Sequence, residues 1–320
     1  MKVLGIETSC DETAASVVDE GGVRSDVVYT QTVHTPYLGV VPELASRAHA
    51  EKLPAVVRAA LERAGIERPD AVAVTAGPGL IGAVLVGLSF AKSLALGWGV
   101  PLVAVNHLEG HLLSPLLEPD APAFPFLGLV VSGGHTSLYL ARDVGDYETL
   151  AQTVDDAAGE AYDKVARVLG LGYPGGPIID RMAANGDPTA VDFPRPRARG
   201  LDWSFSGLKT AVRTHVTGDD PAAPDDIAAS FQQAVVDVLE DRVLRAADQT
   251  GVRRVALSGG VAANAQLRRR FTELEAIRAA LPARSRCTDN GAMIAHAGRL
   301  RLLRGQRDPL SVTARPGWAL

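Results

Sequence analysis

Short apolar runs separated by small polar turns alternate along this chain with longer amphipathic stretches, a pattern that predicts an α/β protein. Residues 2–6 and 14–18 are apolar on either side of the turn Glu7-Thr8-Ser9-Cys10-Asp11-Glu12-Thr13. This reads as a hairpin whose tip exposes hydroxyls, backbone N–H groups and carboxylates, a tip able to hold a phosphate or its metal. Residues 27–32 read as a further strand and 34–41 as a loop. Residues 42–65 have helical spacing, with Glu43, Glu51 and Glu62 interleaved with Arg47, Lys52, Arg58 and Arg63 on a solvated face. An apolar strand at 71–75, the turn Gly77-Pro78-Gly79 and a mostly apolar helix at 80–96 form the strand–loop–helix unit of a doubly wound sheet. That loop could cradle a phosphate at the helix N-terminus; it lacks a P-loop lysine, and tight packing is the alternative.

The same design recurs further on. Residues 126–140 hold a strand (126–131), the small polar tip Ser132-Gly133-Gly134-His135-Thr136 and a second strand, with glycines that permit close backbone approach to a ligand at positive φ. Residues 255–257, the loop Ser258-Gly259-Gly260-Val261-Ala262-Ala263-Asn264 and a helix from Ala265 mirror residues 72–95. Two hairpins and two strand–glycine–helix units imply an internal duplication facing a shared cleft, with the proline- and alanine-rich stretch 115–125 as linker. Residues 153–169 have a helical period, with Asp155 or Asp156 placed to cap it and Asp163 and Lys164 inside it. The break Tyr173-Pro174-Gly175-Gly176-Pro177 precedes another helix carrying Asp180. Residues 191–209 have no clear period and interleave Arg195, Arg197, Arg199 and Lys209 with Trp203 and Phe205. That mixture suits RNA backbone and base stacking, or a surface excursion packed by its own aromatics. Beyond it come a long amphipathic helix at 225–250 and the basic cluster Arg268-Arg269-Arg270.

The chemistry centres on residues 105–113, VNHLEGHLL, which continue an apolar strand and open a helix. His107 and His111 stand at i and i+4, on one helix face, close enough to hold one cation. A zinc-peptidase H-E-x-x-H pattern needs its glutamate directly after the first histidine; Leu108 stands there, and Glu109 points elsewhere. The pair alone could equally satisfy backbone groups, and a third ligand would decide. Asp289, in an Asp-Asn-Gly turn before a last helix reaching residue 304, reads by itself as an ordinary N-cap.

Composition narrows the picture. With 320 residues and 47% hydrophobic content the chain can build two ordinary domains or one large one. A net charge of −5 gives no global positive field for nucleic acid, so any RNA contact is local. Two cysteines, Cys10 and Cys287, are too few for a disulfide framework and have no zinc-ribbon spacing, which makes inert small residues in a reducing compartment the expectation. The N-terminus turns polar too early for a signal peptide, and no apolar run of about 18 residues lacks a charge or a Gly-Pro interruption. A soluble cytoplasmic protein is expected.

Six segments, ETSCDETA, NHLEGHL, VSGGHT, GEAYDKVARVLGLGYPGGP, LSGGVAAN and CTDNGAMIA, together closely resemble the bacterial branch of the TsaD family of tRNA threonylcarbamoyladenosine biosynthesis proteins, once described as glycoproteases. The resemblance is colinear from about residue 2 to about residue 300. The alanine common after Asp-Asn is Gly291 here, a change expected to matter little. The resemblance implies the actin-like, sugar-kinase-like ATPase (ASKHA) fold. Two duplicated α/β domains, residues 1–123 and 124–291, would flank a nucleotide cleft, with residues 292–320 packing back on the first. It implies that His107, His111 and Asp289 bind one divalent metal, Fe2+ in the family's usual description and sometimes Zn2+. Two imidazoles and one carboxylate would leave coordination positions open, as in a catalytic site.

The substrate implied is threonylcarbamoyl-adenylate, and the acceptor is N6 of the adenosine just 3′ of the anticodon in tRNAs reading ANN codons, giving t6A and AMP. By motif, Val130, Val131, Ser132, Gly133 and Gly134 would hold the phosphate and threonylcarbamoyl portion, and Asp163, Gly176, Asp180 and Asn264 the ribose and adenine. Asp11 and Glu12 are candidates for accepting the proton or organising metal and substrate. Implied partners are TsaB, a shortened paralogue, and the ATPase TsaE, with the helices at 42–65 and 80–96 as pairing surfaces. The alternative is an ATPase or kinase of the same superfold, with Asp11 positioning a magnesium-bound water. The histidine pair argues against it, since magnesium prefers oxygen ligands.

Overall fold

The computed structural model describes residues 1–320 except Leu38 and Arg197. It divides into two compact units, Met1–Pro119 with Asp289–Leu320, and Asp120–Thr288. In chain order, β1 (Val3–Glu7), β2 (Glu12–Asp19), β3 (Gly22–Thr30), α1 (Pro42–Ala64), β4 (Ala71–Gly77), α2 (Ile81–Trp98), β5 (Leu102–Asn106) and α3 (His107–Leu113) build the first unit. The second holds β6 (Phe126–Val131), β7 (Thr136–Asp143), β8 (Asp146–Gln152), α4 (Ala158–Val168), α5 (Gly175–Ala183), α6 (Ser206–Val216), α7 (Pro224–Thr250), β9 (Arg254–Ser258), α8 (Ala265–Glu273) and β10 (Arg278–Ala280). Helix α9 (Gly291–Leu303) returns to the first unit.

The two sheets repeat one topology, β3-β2-β1-β4-β5 and β8-β7-β6-β9-β10. In each, an antiparallel three-strand meander continues into parallel strands, so β1 corresponds to β6 and β4 to β9. Strands β1, β4 and β5 are buried along their whole length, which is why they read as unbroken apolar runs rather than alternating ones. Leu4 and Ile6 join a core with Leu53 and Val57 of α1 and Leu88 and Ala91 of α2. Gly5, between them, faces α9, where a Cβ would lie 2.2 Å from Gly291 O and 2.3 Å from Ala295 N. The expectation for Gly291 is corrected here: a Cβ at that position would stand 2.5 Å from Ser16 N, against backbone, so glycine lets α9 approach β2 closely. Helix α2 is long and apolar enough by composition to cross a membrane; here it packs on β4 and α1 with Ala83, Val84, Leu88, Ala91 and Ala95 buried.

One local reading is corrected in the second unit and one that the sequence left open is decided. Helix α4 begins after Ala157 without a side-chain cap, and its Ala158 N–H donates to Thr136 Oγ1 at 2.9 Å instead. Asp155 accepts from Phe205 N (2.8 Å) and from the Ser204 and Ser206 hydroxyls, at the start of α6, while Asp156 pairs with Lys164 at 2.6 Å. Trp203 and Phe205 are fully buried core residues, not a stacking platform, and the Trp203 indole N–H donates to Val238 O. Arg195 is paired with Asp237 at 2.9 Å, Lys209 lies on α6, and Arg197 falls outside the described residues.

His296 on α9 is buried, with no partner for Nε2 among the described residues. Burial, helped by Arg299, pushes its imidazolium down to about 4 from the ordinary 6.5. Above that ordinary value the ring is neutral in both states. As pH falls toward about 4 the unfolded chain binds a proton that the folded one refuses, and stability drops by roughly 3 kcal/mol in all. Urea unfolding at neutral and mildly acidic pH should show a smaller acid loss in His296→Gln than in wild type; equal losses would contradict the assignment.

Candidate metal centre

Strands β1, β4 and β5 run parallel side by side, and their carboxyl ends carry the site. Asn106, the last residue of β5, caps α3: its Oδ1 accepts from Leu108 N at 2.8 Å and its Nδ2 donates to Trp318 O at 3.1 Å. The helix therefore starts at His107, and one turn later carries His111, with the rings 4.7 Å apart and edge to face. The cap of α9 is Asn290, whose Oδ1 accepts from Met293 N at 2.9 Å, so Asp289 is not the cap. Its Oδ1 lies 2.9 Å from His111 Nε2 and 3.6 Å from His107 Nε2. One donor atom from each of the three residues falls within 4.8 Å of the other two, so this buried group could hold a metal ion.

The two rings are supported differently. His107 Nδ1 is 3.0 Å from Glu7 Oε2 and 3.2 Å from Ser9 Oγ. Glu7 is wholly inaccessible and also accepts from Thr75 Oγ1 and Ser9 N. Such a carboxylate behind a histidine fixes which nitrogen faces a metal and how the ring is turned. His111 Nδ1 has no hydrogen-bond partner among the described residues, so that ring is held by helix packing and by Asp289 on its other nitrogen, with no carboxylate behind it. Glu109 is buried against Arg301 at 2.7 Å, an ion pair joining α3 to α9, which is why it takes no part in the group.

Charge is concentrated here. Burial opposes the His107 imidazolium, but Asp289 and Glu7 outweigh it and raise the ring to about 9. Burial also works against the Glu7 carboxylate, yet His107 beside it leaves the group below its ordinary value. Glu12 at the start of β2 is pushed up to about 10 by burial and by the nearby Asp289 and Asp11. Two imidazole nitrogens and a carboxylate, with further carboxyls close by, form a donor set that a divalent cation fits.

The remaining motif residues lie in the second unit. Val130 and Val131 end β6, and Ser132 N donates to His135 O at 2.8 Å, closing the tip. Gly133 and Gly134 do not adopt positive φ, a correction to the expectation; they stand in open space, where a Cβ would meet nothing. Glycines under constraint stand around the tip instead: Gly259, at φ +87°, whose Cβ would stand 2.3 Å from Val131 O, and Gly159, whose Cβ would stand 2.5 Å from Ser132 O. Asp163 accepts from Gly175 N at 2.7 Å and from the Gly176 N–H, and burial holds its carboxyl above the ordinary value. Asp180, one turn beyond Gly176 on α5, accepts from Ala265 N at 3.0 Å and from Gln232 Nε2 at 3.1 Å. Gln232 Oε1 in turn accepts from Asn264 Nδ2 at 2.6 Å. Gln232 thus joins Asp180 to Asn264, and nothing in the amphipathic pattern of α7 singled it out. Glu7, by contrast, carried a signal: a charge at the very end of an apolar strand.

Two units that repeat one mixed topology give the chain the actin-like, sugar-kinase-like α/β fold, and the first of them bears a His-His-Asp group at the ends of its parallel strands. Solved structures agree on the fold. Full-length HypF in a phosphate- and nucleotide-bound form matches with a TM-score of 0.65 and 16% identity, over 95% of this chain and 47% of that one. The ROK hexokinase from Thermus thermophilus matches at 0.52 and 18%, over 96% and 100%. Sequence comparison is more specific. The family model for TsaD, tRNA N6-adenosine threonylcarbamoyltransferase, matches residues 22–296. Proteins of that description from Anaeromyxobacter dehalogenans strain 2CP-C and Anaeromyxobacter sp. strain Fw109-5 are 55% and 53% identical over 100% of this chain, covering 99% and 100% of their own lengths. The chain belongs to the TsaD family of tRNA N6-adenosine threonylcarbamoyltransferases.

Replacing Glu7 by glutamine keeps its shape but removes the charge behind His107. Zinc affinity, read by competition with a chromophoric chelator, should fall about 10- to 100-fold. An unchanged affinity would show that the ring needs no such support.

Proposed function

We propose that this protein transfers the threonylcarbamoyl group from threonylcarbamoyl-adenylate to N6 of the adenosine just 3′ of the anticodon in tRNAs reading ANN codons, with AMP leaving. The observation that carries this reading is the near full-length family match in a chain that keeps the His107, His111 and Asp289 group assembled and buried. These three residues would hold one divalent ion, Fe2+ or Zn2+, which when bound supplies Lewis-acid polarisation of the carbamoyl carbonyl.

The rest of the chemistry is assigned to the chain's own groups. The tip Val130 to Gly134 offers open backbone at Gly133 and Gly134, suited to N–H donation toward the phosphate and the threonylcarbamoyl portion. Asp180 and Asn264, held together by Gln232, with Asp163 and Gly176 beside them on α4 and α5, are assigned to the ribose and adenine. In the transfer step the adenine amine forms a bond to the carbamoyl carbon, the bond from that carbon to the phosphate oxygen breaks, and AMP departs with the electron pair. The amine's lone pair is delocalised into the ring, so positioning must supply much of the rate. The proton it loses is assigned to the first hairpin: to Asp11, or to Glu12 once a bound cation has drawn that raised carboxyl back to its ionised form.

TsaB and TsaE are the assigned protein partners. A groove of about 480 Å³ between α1 and α2, lined by Leu53, Leu85, Val86 and Phe90, supplies an apolar surface for the paralogue. Cys10 and Cys287, neither of them in a disulfide, fit a reducing cytoplasm.

Nucleoside mass spectrometry tests the reading on unmodified tRNA incubated with this protein, competent partners and threonylcarbamoyl-adenylate. Wild type should form threonylcarbamoyladenosine and His107→Ala should not. Product from both would remove the metal group from the chemistry, and product from neither would overturn the assigned activity.

A further inference from the structure

The turn carrying Asp11 and Glu12 is gripped from behind by one imidazole. His49 lies on the buried stripe of α1 with Ala45, Leu53 and Val56, and is fully enclosed. Its Nδ1 is 2.8 Å from Thr13 Oγ1 and its Nε2 is 2.9 Å from Cys10 O. A carbonyl can only accept, so Nε2 carries the proton and Nδ1 accepts from the Thr13 hydroxyl. One neutral ring therefore holds the residue before Asp11 and the residue after Glu12. Burial, which pushes the His49 imidazolium down, favours that neutral form.

The grip is part of a polar layer between α1 and the turn. Gln31 N–H donates to Asp11 O at 3.1 Å, Gln31 Nε2 donates to Ala45 O of α1 at 3.3 Å, and His34 Nε2 lies 2.9 Å from Gln31 Oε1. Gln31, His34, His49 and Thr13 are all buried. Apolar side chains would fill such a layer at a smaller desolvation cost, so its polarity serves geometry rather than stability. The segment whose geometry it fixes is Cys10 to Thr13.

We propose that His49 is a positioning residue for threonylcarbamoyl transfer, setting the Asp11 and Glu12 carboxyls of the first hairpin by holding Cys10 and Thr13 to α1. The inference rests on the transferase reading above. It separates two things that the site combines: the metal ligands, fixed by α3 and α9, and the hairpin carboxyls, fixed by α1.

The test is steady-state transfer by the full chain with its partners, with zinc affinity and thermal unfolding measured on the same preparations. His49→Leu, which loses both bonds, should lower kcat at least about 10-fold, leave KM for threonylcarbamoyl-adenylate within about 2-fold, and leave zinc affinity unchanged. His49→Gln, with one N–H and one carbonyl, should recover part of the rate. In whichever of Asp11→Asn and Glu12→Gln loses the more rate, adding His49→Leu should cost little more, because both then act through that carboxyl. A kcat for His49→Leu within about 2-fold of wild type, fully multiplicative losses in the double variant, or a parallel loss of zinc affinity would each overturn the proposal. Should His49→Leu fail to fold, Thr13→Val, alone and combined with that same carboxyl variant, decides by the same criteria. Wild-type product in the same assay keeps the two readings apart: its absence overturns the assigned activity, whereas normal product with an indifferent His49→Leu overturns only the role of His49.

Discussion

A carboxylate shut away from water has to be satisfied by protein donors, and the first unit is arranged around one such group, Glu7. It terminates β1 in the middle of the sheet. It accepts from Thr75 of the neighbouring strand β4, from its own turn at Ser9 N, and stands against His107, the first residue of α3 just past the end of β5. Three strand ends, the start of the hairpin turn and the orientation of one metal-ligand candidate are therefore fixed by one charge. The second fixed relation is the approach of α9 to β1 and β2 over Gly5 and Gly291, which brings Asp289 to His111 from 178 positions away in the chain. Neither relation has slack, because in both places side chain or backbone is already at contact distance.

The duplication shows how the same frame was put to different uses. Beyond the shared strand order, the loops match. Gly79, after β4, closes onto Ser9, after β1, with a Cβ position 2.6 Å from Ser9 O. Gly259, after β9, closes onto Val131, at the end of β6, at 2.3 Å. The units diverge at the last parallel strand of each sheet. In the first unit β5 leads into a helix bearing two histidines, whereas the equivalent strand β10 is three residues long and gives way to a short turn at Arg284–Arg286. The first unit carries the metal-ligand group, and the second carries the Asp180, Gln232 and Asn264 cluster.

Much of this was legible in the chain before any coordinates. Buried central strands announce themselves as apolar runs, and the repeated strand–glycine–helix units disclosed the duplication. The i, i+4 histidines were visible as a pair, but Asp289 joined them only through resemblance, since an Asp-Asn-Gly turn reads equally well as a cap and Asn290 in fact takes that role. Strand β8 escaped because it is mostly exposed and carries Asp146 and Glu148 among its residues, and β10 because three residues hold no period. The basic, aromatic stretch near residue 200 stayed open between two readings for a physical reason: composition cannot show that α7 covers Trp203, so a core tryptophan and a stacking tryptophan look alike. Gln232 and His49 were invisible for a related reason. Each is a polar residue on the buried face of a helix, and only its partners on other elements reveal why it is there.

The claim on which the account turns is that His107, His111 and Asp289 act together as ligands of one divalent ion. X-ray absorption at the metal edge of the zinc-loaded protein tests it most directly. The metal should be coordinated by two imidazole nitrogens with carboxylate oxygen, and by one imidazole in His111→Ala. A shell of oxygen atoms alone, unchanged by that substitution, would contradict it.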